Sequence, residues 1–148
     1  MKSFIYLFFS ILLFLSCSKE ADSEPQTEAD ILKYIEDNNL DATRTNSGLY
    51  YVINKQGTGT RPIGHSNVTV AYKGYFLDGA IFDQSDSNGS SFGLNQVIAG
   101  WTEGIQLFKE GGEGILLIPY NLGYGASQVR TIPGGSVLIF DIKLISVN

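Results

Sequence analysis

Few side chains in this sequence can do covalent chemistry. Its 148 residues include one cysteine, Cys17, and one histidine, His65. A lone cysteine forms no internal disulfide, and a lone histidine leaves no Cys/His zinc cluster. No carboxylate pair stands at hydrolase spacing. His65 follows Gly64 in a loop and is expected to face solvent without a role. Aromatic surface and glycine are abundant instead, with 8 Tyr, 9 Phe and 17 Gly. That mixture suits a turn-rich β protein better than a helix bundle. Ten basic against 15 acidic residues leave a net charge of −5. Nucleic acid is excluded as a partner, because phosphate binding needs a basic face. A hydrophobic content of 43% in one domain's length is enough for a buried core and excludes a wholly disordered chain.

Cys17 is the residue whose position implies a modification. Residues 4–15 (FIYLFFSILLFL) form an apolar run behind Lys2, of signal-peptide length and too short to span a bilayer comfortably. The run ends at Leu15-Ser16-Cys17-Ser18, which resembles a bacterial lipoprotein signal. Cleavage before Cys17 would expose its amine for acylation and its thiol for lipid. Ser16 is small, as that pattern requires, whereas Phe14 and Leu15 depart from it. The competing readings are an ordinary secretory signal and a buried N-terminal helix. The acidic stretch 18–30 (SKEADSEPQTEAD) argues against the buried helix, because it has nothing to pack. The expected organisation is a signal over 1–16, an acidic flexible tether over 17–29, a short helix and linker over 30–47, and a globular domain over 48–148. The expected location is the bacterial cell envelope, lipid-anchored at the membrane and facing the periplasm or outer membrane.

The elements follow from hydrophobic period. Ile31, Tyr34 and Ile35 share one face of a predicted helix over Ile31–Asn38, capped by Asp30 and ended by Asn38-Asn39. So short a helix must dock or fray, and is read as a spacer. Strands are predicted at Leu49–Ile53 and Asn67–Leu77, where Val68, Val70 and Tyr72 alternate. Asp78-Gly79 signals a tight hairpin returning through Ala80-Ile81-Phe82. A polar loop follows over 84–91, and apolar structure resumes at Phe92–Val97. Gly100–Lys109 is predicted helical, with Trp101, Ile105 and Phe108 on one face and Gly111-Gly112 as a left-handed cap. A strand over Glu113–Pro119, a long loop over Tyr120–Pro133 and a strand over Val137–Val147 complete the chain. These elements predict an α+β fold, an antiparallel sheet of about five strands curled around one short helix carrying Trp101. A small β-sandwich is the alternative.

Several segments fall in one order: Val70-Ala71-Tyr72-Lys73-Gly74, Asp78-Gly79-Ala80-Ile81-Phe82-Asp83 and Val97-Ile98-Ala99-Gly100-Trp101. Ile118-Pro119, Leu122-Gly123-Tyr124-Gly125, Ile132-Pro133 and Leu138-Ile139-Phe140-Asp141 follow. Together they resemble the FKBP-type peptidyl-prolyl cis-trans isomerases over about residues 49–147. The resemblance implies an FKBP-like fold and a shallow apolar pocket. It is lined by Tyr72, Phe82, Val97, Ile98, Trp101, Tyr124, Ile132 and Phe140, with Phe92 matching one loop aromatic. By the same resemblance Trp101 is the pocket floor and Asp83 the polar group beside it. The Ile98 backbone N–H and the Tyr124 hydroxyl are the donors to substrate carbonyls. Proline-containing polypeptide clients, no cofactor, no metal and a monomeric state are implied with it.

The implied reaction is rotation about an X–Pro bond, against a barrier of about 18–20 kcal/mol. No bond breaks, so the poverty of nucleophiles and metal ligands is no obstacle. Two features depart from the family pattern. Residues 84–91 contain no Arg to pair with Asp83, which leaves hydroxyls or Tyr72 to orient it. Ser90 stands where a second loop aromatic belongs, which opens the pocket on that side. Two other readings therefore stand beside the isomerase. One is an FKBP-like proline-peptide binding module. The other is a structural lipoprotein of an envelope or gliding complex with little catalysis.

Overall fold

A computed structural model describes residues 24–148 of the chain. The predicted signal, Cys17 and most of the tether lie outside them. Seven strands form one antiparallel sheet: β1 (Thr43–Arg44), β2 (Tyr50–Lys55), β3 (Asn67–Tyr75), β4 (Ile81–Gln84), β5 (Ser90–Gly93), β6 (Glu113–Ile118) and β7 (Leu138–Val147). Their order is β1-β2-β6-β7-β3-β4, and β5 also pairs with β3. The long central strand β3 explains this branching. Its C-terminal residues Lys73–Tyr75 pair with β4, while Asn67–Val70 pair with β5 on the same edge. Residues 85–89 cross between them, tied down by Ser85, whose N–H reaches the Tyr72 carbonyl at 3.0 Å. The Ser85 hydroxyl accepts from the Tyr72 N–H, also at 3.0 Å.

Helix α1 spans Glu28–Asp37 and helix α2 spans Ala99–Ile105. Leu138, Phe140, Ile142 and Leu144 of β7 alternate onto one face of the sheet, all buried, and there meet Trp101, Ile105 and Phe108. Glycines let α2 lie close to that face. A Cβ on Gly100 would sit 2.5 Å from Ile118 Cγ2, and one on Gly104 would sit 2.6 Å from Leu116 Cδ1. The intervening β7 residue Ile139 points the other way, into a second cluster with Ile31, Tyr50, Leu117 and Val137. Helix α1 thus covers the opposite face, with Tyr34 and Ile35 packed at the edge of that cluster.

Five expectations need correction. The sheet has seven strands, because the two-residue β1 and the polar β5 are too short or too hydrophilic to show an apolar period. The polar loop accordingly ends before Ser90. The α1 cap is Thr27, whose N–H and hydroxyl donate to Asp30 Oδ2 at 2.6 and 3.0 Å; Asp30 is the third helical residue, reaching back. Helix α2 ends at Ile105, so Gly111, at φ +83°, turns the chain into β6 and does not cap the helix. Finally, α2 does not cover the sheet alone, since α1 buries the face that the sequence left unassigned.

The chain enters this unit through a short strap. Gln26 N–H donates to the Gly135 carbonyl at 2.9 Å, and its side-chain Oε1 accepts from Val137 N–H at 2.7 Å. Gly135 in turn donates to the Gly125 carbonyl at 2.9 Å, beside Tyr124.

Candidate active site

A cavity of about 430 Å³ opens between β3, β4, the segment after β5 and α2. It is lined by Tyr72, Phe82, Asp83, Phe92, Gln96, Val97, Ile98, Trp101, Tyr124 and Phe140. Strand alternation delivers the aromatic walls. Tyr72 from β3 and Phe140 from β7 project to the same face as the core. Gly74 makes room for their neighbours, because a Cβ there would come within 2.7 Å of Phe140 and 2.8 Å of Phe82. Trp101, at the start of α2, is 5% exposed and forms the base. Its ring meets Tyr72 at 5.0 Å, Phe92 at 5.1 Å and Phe140 at 5.1 Å between centroids. The Tyr72 and Phe140 contacts are edge-on, the arrangement that aromatic quadrupoles favour.

Polar groups in this cavity are few. Tyr72 Oη donates to Asp83 Oδ2 at 2.8 Å, so a tyrosine orients the aspartate in a loop region without arginine. Burial, followed by this bond to Asp83, pushes the Tyr72 phenol up to about 12. It therefore remains a donor at neutral pH. The Ile98 carbonyl accepts the first helical bonds from Trp101 and Thr102, at 2.9 and 3.1 Å. The Ile98 N–H makes no hydrogen bond among the described residues. Tyr124 is 42% exposed and stands on the rim, just after the turn of 3-10 helix at Tyr120–Leu122. The Trp101 indole N–H is buried without a partner among the described residues. A buried donor left so costs about 1–3 kcal/mol.

Nine of the ten pocket residues expected from the sequence line this one cavity. Ile132 does not. It is 9% exposed and lines an adjoining groove with Val129, Arg130 and Thr131. Its backbone bridges Val129, and its side chain belongs to the same buried cluster as Trp101 and Phe140. Gln96 was not anticipated; its only signal is that it immediately precedes Val97-Ile98. His65 lies exposed in a turn away from the cavity, facing solvent as expected. A larger depression, about 540 Å³, crosses the other face of β3 and β7. Four of its five charged side chains form ion pairs, Lys73 with Asp141 at 3.1 Å and Lys143 with Glu113 at 3.4 Å, and this polar lining makes it a poor trap for an apolar ring. No cluster of three or more His, Cys, Asp or Glu able to hold a metal occurs among the described residues.

Known proteins place this geometry. A family profile described as FKBP-type peptidyl-prolyl cis-trans isomerase matches residues 59–145. A probable FKBP-type peptidyl-prolyl cis-trans isomerase FkpA from Neisseria meningitidis is 49% identical over 109 residues, covering 70% of this chain. The chain spans only 39% of that relative's own length. The crystal structure of FkpA from Escherichia coli superposes with a TM-score of 0.75 at 36% identity, over 81% of this chain and 58% of that one. A peptidyl-prolyl cis-trans isomerase structure from Pseudomonas syringae gives a TM-score of 0.72 at 31% identity, over 82% of this chain and 92% of that one. The α+β fold, the ordered segments and these matches agree: the chain belongs to the FKBP-type peptidyl-prolyl cis-trans isomerase family.

Proposed function

We propose that this chain accelerates X–Pro rotation in extracytoplasmic polypeptides, as a folding helper held at the bacterial envelope by lipid on Cys17. The observation that carries the catalytic part is the aromatic cavity with Trp101 at its base and an unpartnered Ile98 N–H at its lip. Planar amides gain from water because resonance separates charge. A proline ring seated among Tyr72, Phe82, Phe92, Trp101 and Phe140 loses that water, which favours the twisted amide. In this reading the Ile98 N–H and the Tyr124 hydroxyl take client carbonyls and hold the chain in the turn that twisting needs. Asp83, held by Tyr72, supplies the one carboxylate beside the ring. Lowering the barrier by ~4–6 kcal/mol accelerates exchange roughly 10³- to 10⁴-fold.

The test is two-dimensional NMR exchange of a short peptide with an apolar residue before proline, using residues 18–148 at sub-stoichiometric concentration. Exchange cross-peaks that grow with protein establish catalysis. Peptide shifts without faster exchange favour the proline-binding module, a reading supported by Ser90 and by the absence of arginine from 84–91. With neither, the structural lipoprotein becomes the better account. The anchor is tested separately. The full chain is expected in the detergent phase of a detergent partition and Cys17→Ala in the aqueous phase; equal partition of both removes the lipid from the proposal.

A further inference from the structure

We propose that the groove adjoining the cavity is a second subsite, in which Arg130 selects a carboxylate-bearing client residue within two positions of the proline. This rests on the isomerase reading of the cavity. The groove measures about 460 Å³ and shares Phe82, Asp83 and Tyr124 with the cavity, so one extended chain can occupy both. One residue of extended chain covers about 3.3–3.6 Å, which puts the neighbours of a seated proline in the groove.

Three observations single out Arg130. First, it is the arginine that the structure leaves without a partner. Arg44 Nε donates to Glu28 Oε1 at 2.6 Å, and Arg61 Nη1 donates to the carbonyls of Gln106 and Leu107, both at 2.9 Å. Arg130 forms no side-chain hydrogen bond or ion pair among the described residues. Second, it is held in an unfavourable backbone conformation. Its φ is +54°, inside a tight turn closed by Val129 and Ile132, which exchange N–H···O bonds of 3.0 Å in both directions. Glycine or asparagine adopts that region more cheaply, so an arginine there costs stability that its side chain must justify. Third, Arg130 is the groove's only cation, in a chain of net charge −5. Asp83 sits at the shared end of the groove and repels an acidic side chain from there. The client carboxylate is therefore directed to the Arg130 end, where the planar guanidinium can bind it in two-pronged fashion.

The experiment compares proline peptides carrying Glu or Gln at each of the two positions before and after the X–Pro bond. kcat/KM is read by NMR exchange with the full chain. At one or more positions the Glu peptide is expected to be preferred about two- to five-fold, the range of an exposed ion pair, and the preference should shrink in high salt. Arg130→Gly relieves the turn and so folds; its Glu-to-Gln ratio is expected to fall to one. Arg130→Glu should invert the ratio, and Arg130→Lys should retain part of it. The same ratio in wild type and Arg130→Gly at every position overturns the proposal. If peptides bind without faster exchange, the isomerase reading fails alone, and the ratio of Kd values then decides the subsite. Absence of binding to any peptide overturns both.

Discussion

Tyr72 and Tyr124 are both phenols at the candidate site, yet they occupy opposite environments. Tyr124 is 42% exposed on the rim, and little of the fold leans on it. Tyr124→Ala is expected to lower kcat/KM about ten-fold, near 1.4 kcal/mol of transition-state stabilisation. Its urea midpoint should stay within the ±0.5 kcal/mol usual for surface changes. A midpoint that falls together with activity would mark Tyr124 as structural. Tyr72 is half-buried, its proton held by burial and then by Asp83. Tyr75 is pushed in the same direction, by burial and then by its 2.9 Å bond to Asp141. In the unfolded chain both titrate near pH ~10. Above that pH the unfolded state sheds protons that the folded state keeps. The stability they contribute is therefore complete below about 10 and drains as pH climbs toward about 12. Urea midpoints between pH 9 and 12 should decline steeply in the wild type and less steeply in Tyr72→Phe and Tyr75→Phe. At this scale the sequence was informative where side chains alternate along a strand or sit in an ordered motif. The missing arginine left hydroxyls or Tyr72 to orient Asp83, and the structure selects Tyr72. Ile132 lines the adjoining groove and not the cavity itself, a division between two neighbouring hollows that no hydrophobic period reveals.

Helices α1 and α2 were both legible as apolar stripes, and the sheet was the expected partner of α2, but the partner of α1 was not legible. Period reveals which face is buried, not which side of the sheet receives it. Ile31 illustrates this: it is fully buried with Leu117, Val137 and Ile139, on the face away from Trp101. Ile31→Ala is expected to cost about 2–4 kcal/mol as a cavity mutation. Activity measured well below the unfolding transition should be unaffected, because the other face carries the site. Gly100 makes the complementary case. An alanine there would be driven into Ile118, so α2 must lift. Overpacking of this kind costs about 1–3 kcal/mol, more than the ~1 kcal/mol gained in helix propensity. Since Trp101 is the next residue, Gly100→Ala should also weaken peptide binding, read as a higher KM and a changed indole fluorescence. Unchanged KM with a lower melting temperature would separate α2 packing from the site. Strands β1 and β5 were invisible for a simpler reason: two residues carry no period, and Ser90-Ser91 no apolar signal.

At the level of the molecule, one sheet serves two clusters, the helix α2 side for the site and the α1 side for stability. The seven strands are pinned to each other by β3 and β7, whose pairing runs from Val68↔Val147 to Tyr75↔Ile139. That division explains how a family segment beginning near residue 59 can sit in a chain whose fold already engages Gln26. The strap has a mechanical meaning. A pull on the chain ahead of Pro25 does not arrive first at the core. It arrives at the Gln26 bonds to Gly135 and Val137, and passes through Gly135 to Gly125, next to Tyr124 on the cavity rim. Gln26→Ala, which removes the acceptor from Val137 N–H, should quicken hydrogen exchange at that amide and spread to Gly135; exchange unchanged at both would show the strap to be slack. With the strap intact, any tension applied to the chain ahead of Pro25 is load on the rim, and the mouth of the cavity becomes the part of the fold that feels it.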